Sequence, residues 1–319
     1  MDVEKRSALI KRNVAEIVTE QELNKLLKEK PRPTVYCGYE PSGPMHLGHF
    51  VTVTKLIDLA EVGFKVKILL ADVHALLNRK GAEEEIKKET EAWRKTIKAI
   101  GFNAEVVLGS SFQFGKEYQL DVMKLAQEAT INRGLRSMQQ IARDIENATI
   151  SQLWYPLMQV TDIKHLQVDI ALGGMEQRKV HMMGREMSKI LRYNFVALHT
   201  PLITSLKGPG EKMSKSIAGS GIAVTDSYEE IKKIINSAYC PEKIVEDNPI
   251  LQTARLIIFP RVKSIKIERA AKFGGNIEFF SYPELESNYK QGKLHPLDLK
   301  KAVTEYLEKI IAPIRKNFK

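Results

Sequence analysis

Five short, near-continuously apolar runs, most of them followed by a stretch of helical spacing, limit this chain to few architectures. They fall at 34–38, 65–71, 104–108, 168–172 and 195–198. Runs of this length are strands, and strands without a polar face are buried on both sides. Between them lie helical patterns such as the one from Phe50 through Ala60, which stops near Gly63. Strands alternating with helices predict an α/β fold: a Rossmann-like parallel sheet covered on both faces. Ligands of such sheets sit beyond the carboxyl ends of the strands.

The alternation pauses at about 110–150, where two helical stretches, 116–130 and 131–147, read as an insertion between the halves of the sheet. Its apolar residues Leu120, Val122, Met123, Leu125, Leu135, Met138 and Ile141 are either core or a dimer face. Past residue 221 the pattern turns mostly helical, at 228–239, 248–259 and 297–314. The chain therefore divides into an α/β domain at 1–221 and a mostly α-helical C-terminal domain at 222–319. The segment up to about residue 30 reads as helical, with Thr19-Glu-Gln-Glu22 as a capping box.

Composition narrows the setting. No apolar run approaches the ~18 residues of a membrane span, and the first residues, Met-Asp-Val-Glu-Lys-Arg, lack the apolar stretch of a signal peptide, so a cytoplasmic protein is expected. Cys37 and Cys240 are too far apart for a zinc-ligand pattern and read as reduced thiols; no metal site is expected. A net charge of +10 favours a polyanionic partner.

Two short motifs carry the chemistry. His46-Leu-Gly-His49 follows the first strand through the turn Glu40-Pro-Ser-Gly-Pro-Met and opens the helical run. A helix N-terminus suits phosphate, and Gly48 lets a nucleotide approach the backbone. His46 and His49 then flank the phosphates. Lys212-Met-Ser-Lys-Ser216 lies in a loop at 207–221 opened by Gly208-Pro-Gly210. Lys212 and Lys215 carry charge toward a leaving pyrophosphate once that loop closes. Together the motifs point to activation of an amino acid by ATP. Tyr155, Gln159 and Asp162 fall at i, i+4 and i+7, one face of a helix, where polar groups converge on a small ligand.

The chain resembles the class I aminoacyl-tRNA synthetases, specifically the archaeal and eukaryotic type of tyrosyl-tRNA synthetase, over essentially its whole length. The resemblance rests on Tyr36-x-Gly-Tyr-Glu-Pro-Ser-Gly43, the two motifs above, Leu70-Ala-Asp-Val-His74, Tyr155-Pro-Leu-Met-Gln-Val-Thr-Asp162, Gly173-Gly-Met-Glu-Gln-Arg-Lys179, Phe273-Gly-Gly and Leu294-His-Pro-Leu-Asp298. It implies a tyrosine pocket of Tyr36, Tyr155, Gln159, Asp162 and Gln177, with Tyr36 and Asp162 on the phenol. It implies an ATP site with Gly38, Gly48, Glu176, Lys212 and Lys215, and Mg²⁺ arriving with the nucleotide. For tRNA it implies acceptor-stem contacts from Arg178 and Lys179 and anticodon contacts from Phe273, His295 and Asp298, with a helix cap by His295 or Asp298 as the alternative. It also implies a homodimer. A tryptophanyl relative, an RNA-binding relative without catalysis and a smaller nucleotidylyltransferase are the rival readings.

Overall fold

The computed structural model describes residues 3–139, 147–210, 213 and 217–318, with the side chains of Val3, Glu4, Lys5 and Phe273 outside that set. The chain packs as two compact units. The first comprises Met1–Ser42, Lys55–Arg94 and Phe102–Pro201; the second comprises Gly43–Thr54, Lys95–Gly101 and Leu202–Lys319.

The first unit holds a six-stranded sheet: β1 Glu16–Val18, β2 Thr34–Tyr39, β3 Lys65–Leu70, β4 Glu105–Leu108, β5 Ile170–Gly174 and β6 Val196–Thr200, in the order β1-β6-β5-β2-β3-β4. The β2 to β6 strands are parallel, as the apolar runs predict, and each lies within two residues of its predicted position. Strand β2 has β3 on one side and β5 on the other, with Tyr36 opposite Ala171. Chain order reverses there, and the carboxyl ends of strands at such a reversal are where ligands of parallel sheets bind.

The β1 strand is absent from the sequence reading, which takes the N-terminal segment as helical. It pairs antiparallel with β6, Glu16 opposite His199, between helices Val3–Lys11 and Glu20–Glu29. Three half-buried residues at a sheet edge show no alternation to read. The capping box is present: the Thr19 hydroxyl accepts from the Glu22 N–H at 3.2 Å and the Glu22 carboxylate accepts from the Thr19 N–H at 3.0 Å.

The insertion forms helices Lys116–Glu128 and Ile131–Met138; Ile141 lies outside the described residues. Its apolar positions split by face. Tyr118, Val122 and Leu125 pack in a core with Leu157, Met158, Val160, Val180 and Met183, and Met138 is also buried. Each such side chain contributes about 1.5–3 kcal/mol by leaving water. Leu120 and Met123 are exposed.

The second unit contains helices Tyr228–Ser237 and Pro296–Asn317, a short helix Pro249–Thr253 that widens into a π turn at Ala254–Ile258, and a hairpin of Ile265–Ile267 with Ile277–Phe279. Ile231, Ile235, Leu251, Ile257, Val303, Leu307 and Ile311 are buried, a stripe of apolar spacing on each helix. No helix of the described residues is long and apolar enough to cross a membrane.

Candidate active site

The helix Ile150–His165 positions the polar face predicted from spacing. Its start is set by Gln152, whose side chain accepts the Thr149 N–H at 3.0 Å. Leu157, Met158, Val160 and Ile163 are buried within the first unit, and on the polar face Tyr155 and Asp162 are buried while Gln159 is half-buried. Tyr36 of β2 is fully buried as well. The Gln159 amide donates to the Gln177 side chain at 3.1 Å, which ties this helix to the turn Met175–Gln177 after β5.

Asp162 is the electrostatic centre of the group. Its Oδ1 accepts from the Gln113 amide at 2.8 Å and from the Tyr118 hydroxyl at 2.7 Å. Complete burial pushes its carboxyl up to about 7, partly opposed by those two hydrogen bonds. Burial, reinforced by the Asp162 charge, raises the Tyr36 and Tyr118 phenols well above their usual value. Tyr155 is raised by burial and by Glu40. His74 stands edge-on to the Tyr155 ring at 4.6 Å and is held neutral by burial, its pKa lowered to about 3.

Four buried polar atoms here make no hydrogen bond: Asp162 Oδ2, His74 Nε2, Gln113 Oε1 and Gln159 Oε1. A buried unsatisfied polar atom costs roughly 1–3 kcal/mol, so four in one region mark a place built for a polar ligand.

At the end of β5 the chain folds tightly over two glycines. A Cβ on Gly173 would lie 2.8 Å from the Gln177 side chain, and one on Gly174 would overlap the Glu176 carboxylate. At the end of β2, a Cβ on exposed Gly38 would make only ordinary contacts with Tyr36 and Leu69, so the protein's own packing does not require glycine there. Beyond Gln177, Arg178 forms a forked pair with Glu16, at 2.8 to 3.0 Å, and Lys179 donates to Gln139.

In the second unit, residues of the first motif are fixed by backbone pairing. The Leu47 N–H donates to the Ile222 carbonyl and the Val224 N–H to the Met45 carbonyl, both at 2.9 Å. The segment just beyond the second motif thus holds the first. Imidazoles cap the Leu47–Glu61 helix: His46 Nδ1 accepts from the Gly48 N–H at 3.1 Å, and His49 Nδ1 accepts from the His46 N–H at 3.3 Å. A ring nitrogen that accepts carries no proton, so the ring proton of each imidazole sits on Nε2, as a donor. The rings lie 3.8 Å apart. A Cβ on Gly48 would come within 2.9 Å of the His46 ring, so this glycine makes room for an imidazole of its own chain. The base of the second-motif loop is closed by the Leu206 N–H on the Ser220 carbonyl at 3.0 Å, with Gly208 and Gly210 at positive φ. Lys212 and Lys215 lie outside the described residues.

A family model described as tRNA synthetases class I (W and Y) matches residues 28–312. The chain belongs to the class I tRNA synthetases. The tyrosine-tRNA ligase of Archaeoglobus fulgidus is 48% identical over 99% of this chain and 98% of its own length. The Methanosarcina mazei tyrosine-tRNA ligase is 48% identical over 98% of each. The crystal structure of the Archaeoglobus fulgidus tyrosyl-tRNA synthetase complexed with L-tyrosine superposes with a TM-score of 0.96 over the whole of both chains.

Within this synthetase fold, Tyr36, Tyr155, Gln159, Asp162 and Gln177 share the first unit, as do Glu176, Arg178 and Lys179. His46, Gly48 and His49 belong to the second unit, with Phe273, His295 and Asp298. Phe273 ends a short turn, Ala271–Phe273. His295 caps the last helix, its Nδ1 accepting from the Leu297 N–H at 3.2 Å, while Asp298 lines a groove with Lys266, Lys301, Tyr306 and Lys309. The sequence reading gives no role to Gln113, Tyr118, His74 or Glu40. His74 stands in a quoted motif, but Gln113 and Tyr118 reach Asp162 from across the chain, and no local spacing announces that.

Proposed function

We propose that the chain is a tyrosine-tRNA ligase, which activates L-tyrosine with ATP to tyrosyl-adenylate and transfers the tyrosyl group to the 3′ end of tRNA(Tyr). The observation that carries this reading is the buried Asp162 Oδ2, an acceptor that makes no hydrogen bond, beside the phenol of Tyr36. A substrate phenol donates to Asp162 and accepts from Tyr36. An indole N–H only donates and would leave an acceptor-seeking hydroxyl unmatched, which disfavours tryptophan. Phenylalanine offers neither group. Rejection of that kind is worth 10⁴ to 10⁵, for which tyrosyl-tRNA synthetase is the general example in use. Tyr155, Gln159 and Gln177 hold the rest of the amino acid.

The tyrosine carboxylate attacks the α-phosphorus of ATP, the bond to the β-phosphate breaks, and pyrophosphate leaves. A carboxylate is already a nucleophile and needs no general base. Catalysis is then positioning and charge stabilisation. The Nε2–H groups of His46 and His49 donate to phosphate oxygens, Lys212 and Lys215 neutralise the leaving pyrophosphate, and Gly38, Gly48 and Glu176 face the nucleoside. Mg²⁺ accompanies the ATP phosphates as part of the substrate. In the second step the terminal ribose hydroxyl of tRNA attacks the adenylate carbonyl and AMP leaves.

Arg178 and Lys179 read the acceptor stem, and residues 222–319, with Phe273, His295 and Asp298, contact the anticodon. The enzyme acts in the cytoplasm as a homodimer, joined through the exposed Leu120 and Met123 of the insertion. Charging of tRNA(Tyr) with labelled tyrosine tests the overall reaction: acid-precipitable label that requires both ATP and tRNA supports it, and adenylate formation without transfer overturns the second step. Sedimentation as a monomer at micromolar concentration would overturn the dimer.

A further inference from the structure

Two buried histidines of the first unit take no part in the chemistry above. His181, in the helix Arg178–Glu186, places its Nδ1 3.0 Å from Nε2 of His199 on β6, and His199 places its Nδ1 3.0 Å from Oε2 of Glu16 on β1. Both rings are almost wholly buried and neutral, because burial lowers each imidazole pKa, that of His181 to about 3. Proton order along the chain follows from its charged end. A carboxylate only accepts, so His199 donates from Nδ1 and must accept at Nε2, and His181 therefore donates from Nδ1. Nothing in this order is free to reverse while Glu16 stays ionised, and Arg178 keeps its carboxyl below the usual range.

The other side of Glu16 meets Arg178. Oε1 takes both the Nε–H and an Nη2–H of the guanidinium, at 3.0 and 2.9 Å, and Oε2 lies 2.8 Å from Nε. A fork of this kind fixes the plane of the guanidinium as well as its position. Two of its three nitrogens are committed. Nη1 makes no hydrogen bond among the described residues, and the Arg178 side chain is 43% exposed, so two N–H donors are presented outward in a fixed plane. Without Glu16 an exposed arginine samples many rotamers and loses entropy when it binds.

We propose that Glu16, braced by His199 and His181, is a positioning residue that presents Arg178 to the acceptor end of the tRNA. The inference rests on Arg178 being an acceptor-stem contact. It adds the carboxylate and histidine pair that aim it. The device lies on β1, the short edge strand, which places a carboxylate against β6 and beside the start of the helix that follows Gln177.

Three proteins test it: the parent, Glu16→Gln and Arg178→Lys, each assayed for tRNA charging and, without tRNA, for ATP-pyrophosphate exchange. Glu16→Gln keeps the shape but removes the charge that holds the fork. We expect the KM for tRNA to rise about tenfold while kcat at saturating tRNA is retained. Arg178→Lys keeps charge but loses the fork and should raise the tRNA KM at least as far. A tyrosine KM that rises in parallel in the exchange assay would mark Glu16 as merely structural and overturn the proposal. So would a tRNA KM unchanged in Glu16→Gln but raised in Arg178→Lys, because Arg178 would then need no carboxylate. An unchanged tRNA KM in Arg178→Lys would instead remove the acceptor-stem reading, and this inference with it.

Discussion

Asp162 Oδ2 and His74 Nε2 face each other across 3.5 Å inside the first unit, both fully buried, and neither makes a hydrogen bond. His74 is held neutral by burial, so the contact is not an ion pair. The other carboxylate oxygen, Oδ1, accepts from Gln113 and Tyr118, and on the proposed reading Oδ2 is the acceptor for a ligand hydroxyl. Asp162→Asn replaces that acceptor set with an amide of the same shape. It should lower kcat/KM for tyrosine in ATP-pyrophosphate exchange by about 10² to 10³ and shrink the preference over phenylalanine by a similar factor. Full retention of that preference would remove Asp162 from the phenol site.

The pH dependence of stability follows from the same carboxyl. Its pKa is raised in the folded protein, to about 7 from an ordinary value of 3.8. The folded state therefore binds the proton more tightly than the unfolded chain. The favourable contribution is fully present below the unfolded value and is lost as pH rises through about 7. Asp162→Asn lacks this loss. Thermal unfolding of the two proteins at pH 5 and pH 8 should show the variant gaining relative to the parent at the higher pH; equal pH trends would count against the raised carboxyl.

Tyr118→Phe removes one of the two hydrogen bonds that favour the ionised carboxylate, so the Asp162 pKa moves further up. On the proposed reading, tyrosine binding needs the ionised form to accept from the phenol. The rise of tyrosine affinity with pH, followed as KM in exchange, should therefore shift to higher pH in this variant. A simple loss of affinity at every pH, with no shift, would point to packing alone.

Gly48→Ala tests the histidine pair. The new methyl group would sit 2.9 Å from the His46 ring and push it from its cap on the helix, where it accepts the Gly48 N–H. If the imidazoles act as proposed, this displaces donors to the phosphates and leaves the proposed tyrosine pocket unaltered. The exchange kcat should fall at least ~10-fold with tyrosine KM changed less than about twofold. A change in KM alone would contradict the assignment of His46 to the phosphates.

Much of the fold is legible in the sequence because the central parallel strands β2, β5 and β6 are almost wholly buried and read as near-continuous apolar runs. The polar face of the Ile150–His165 helix is legible for a related reason: Tyr155, Gln159 and Asp162 interrupt an apolar pattern at helical spacing. What stays hidden depends on distant pairing. Tyr118 and Gln113 lie 44 and 49 residues from Asp162, and only the folded sheet and insertion bring them to its Oδ1. The β1 strand is hidden because three residues at an edge carry no period, and with it the link from Glu16 to His199. Gly48 shows a different limit. A missing side chain marks a close approach, but only the structure shows that His46 makes one.

The most direct test of the account is ATP-pyrophosphate exchange with tyrosine, tryptophan and phenylalanine supplied separately, in the absence of tRNA. Exchange supported by tyrosine, with phenylalanine and tryptophan lower by at least about 10⁴, is the predicted result. Exchange driven by tryptophan, or none with any of the three, would contradict a phenol-reading site built on Tyr36 and Asp162.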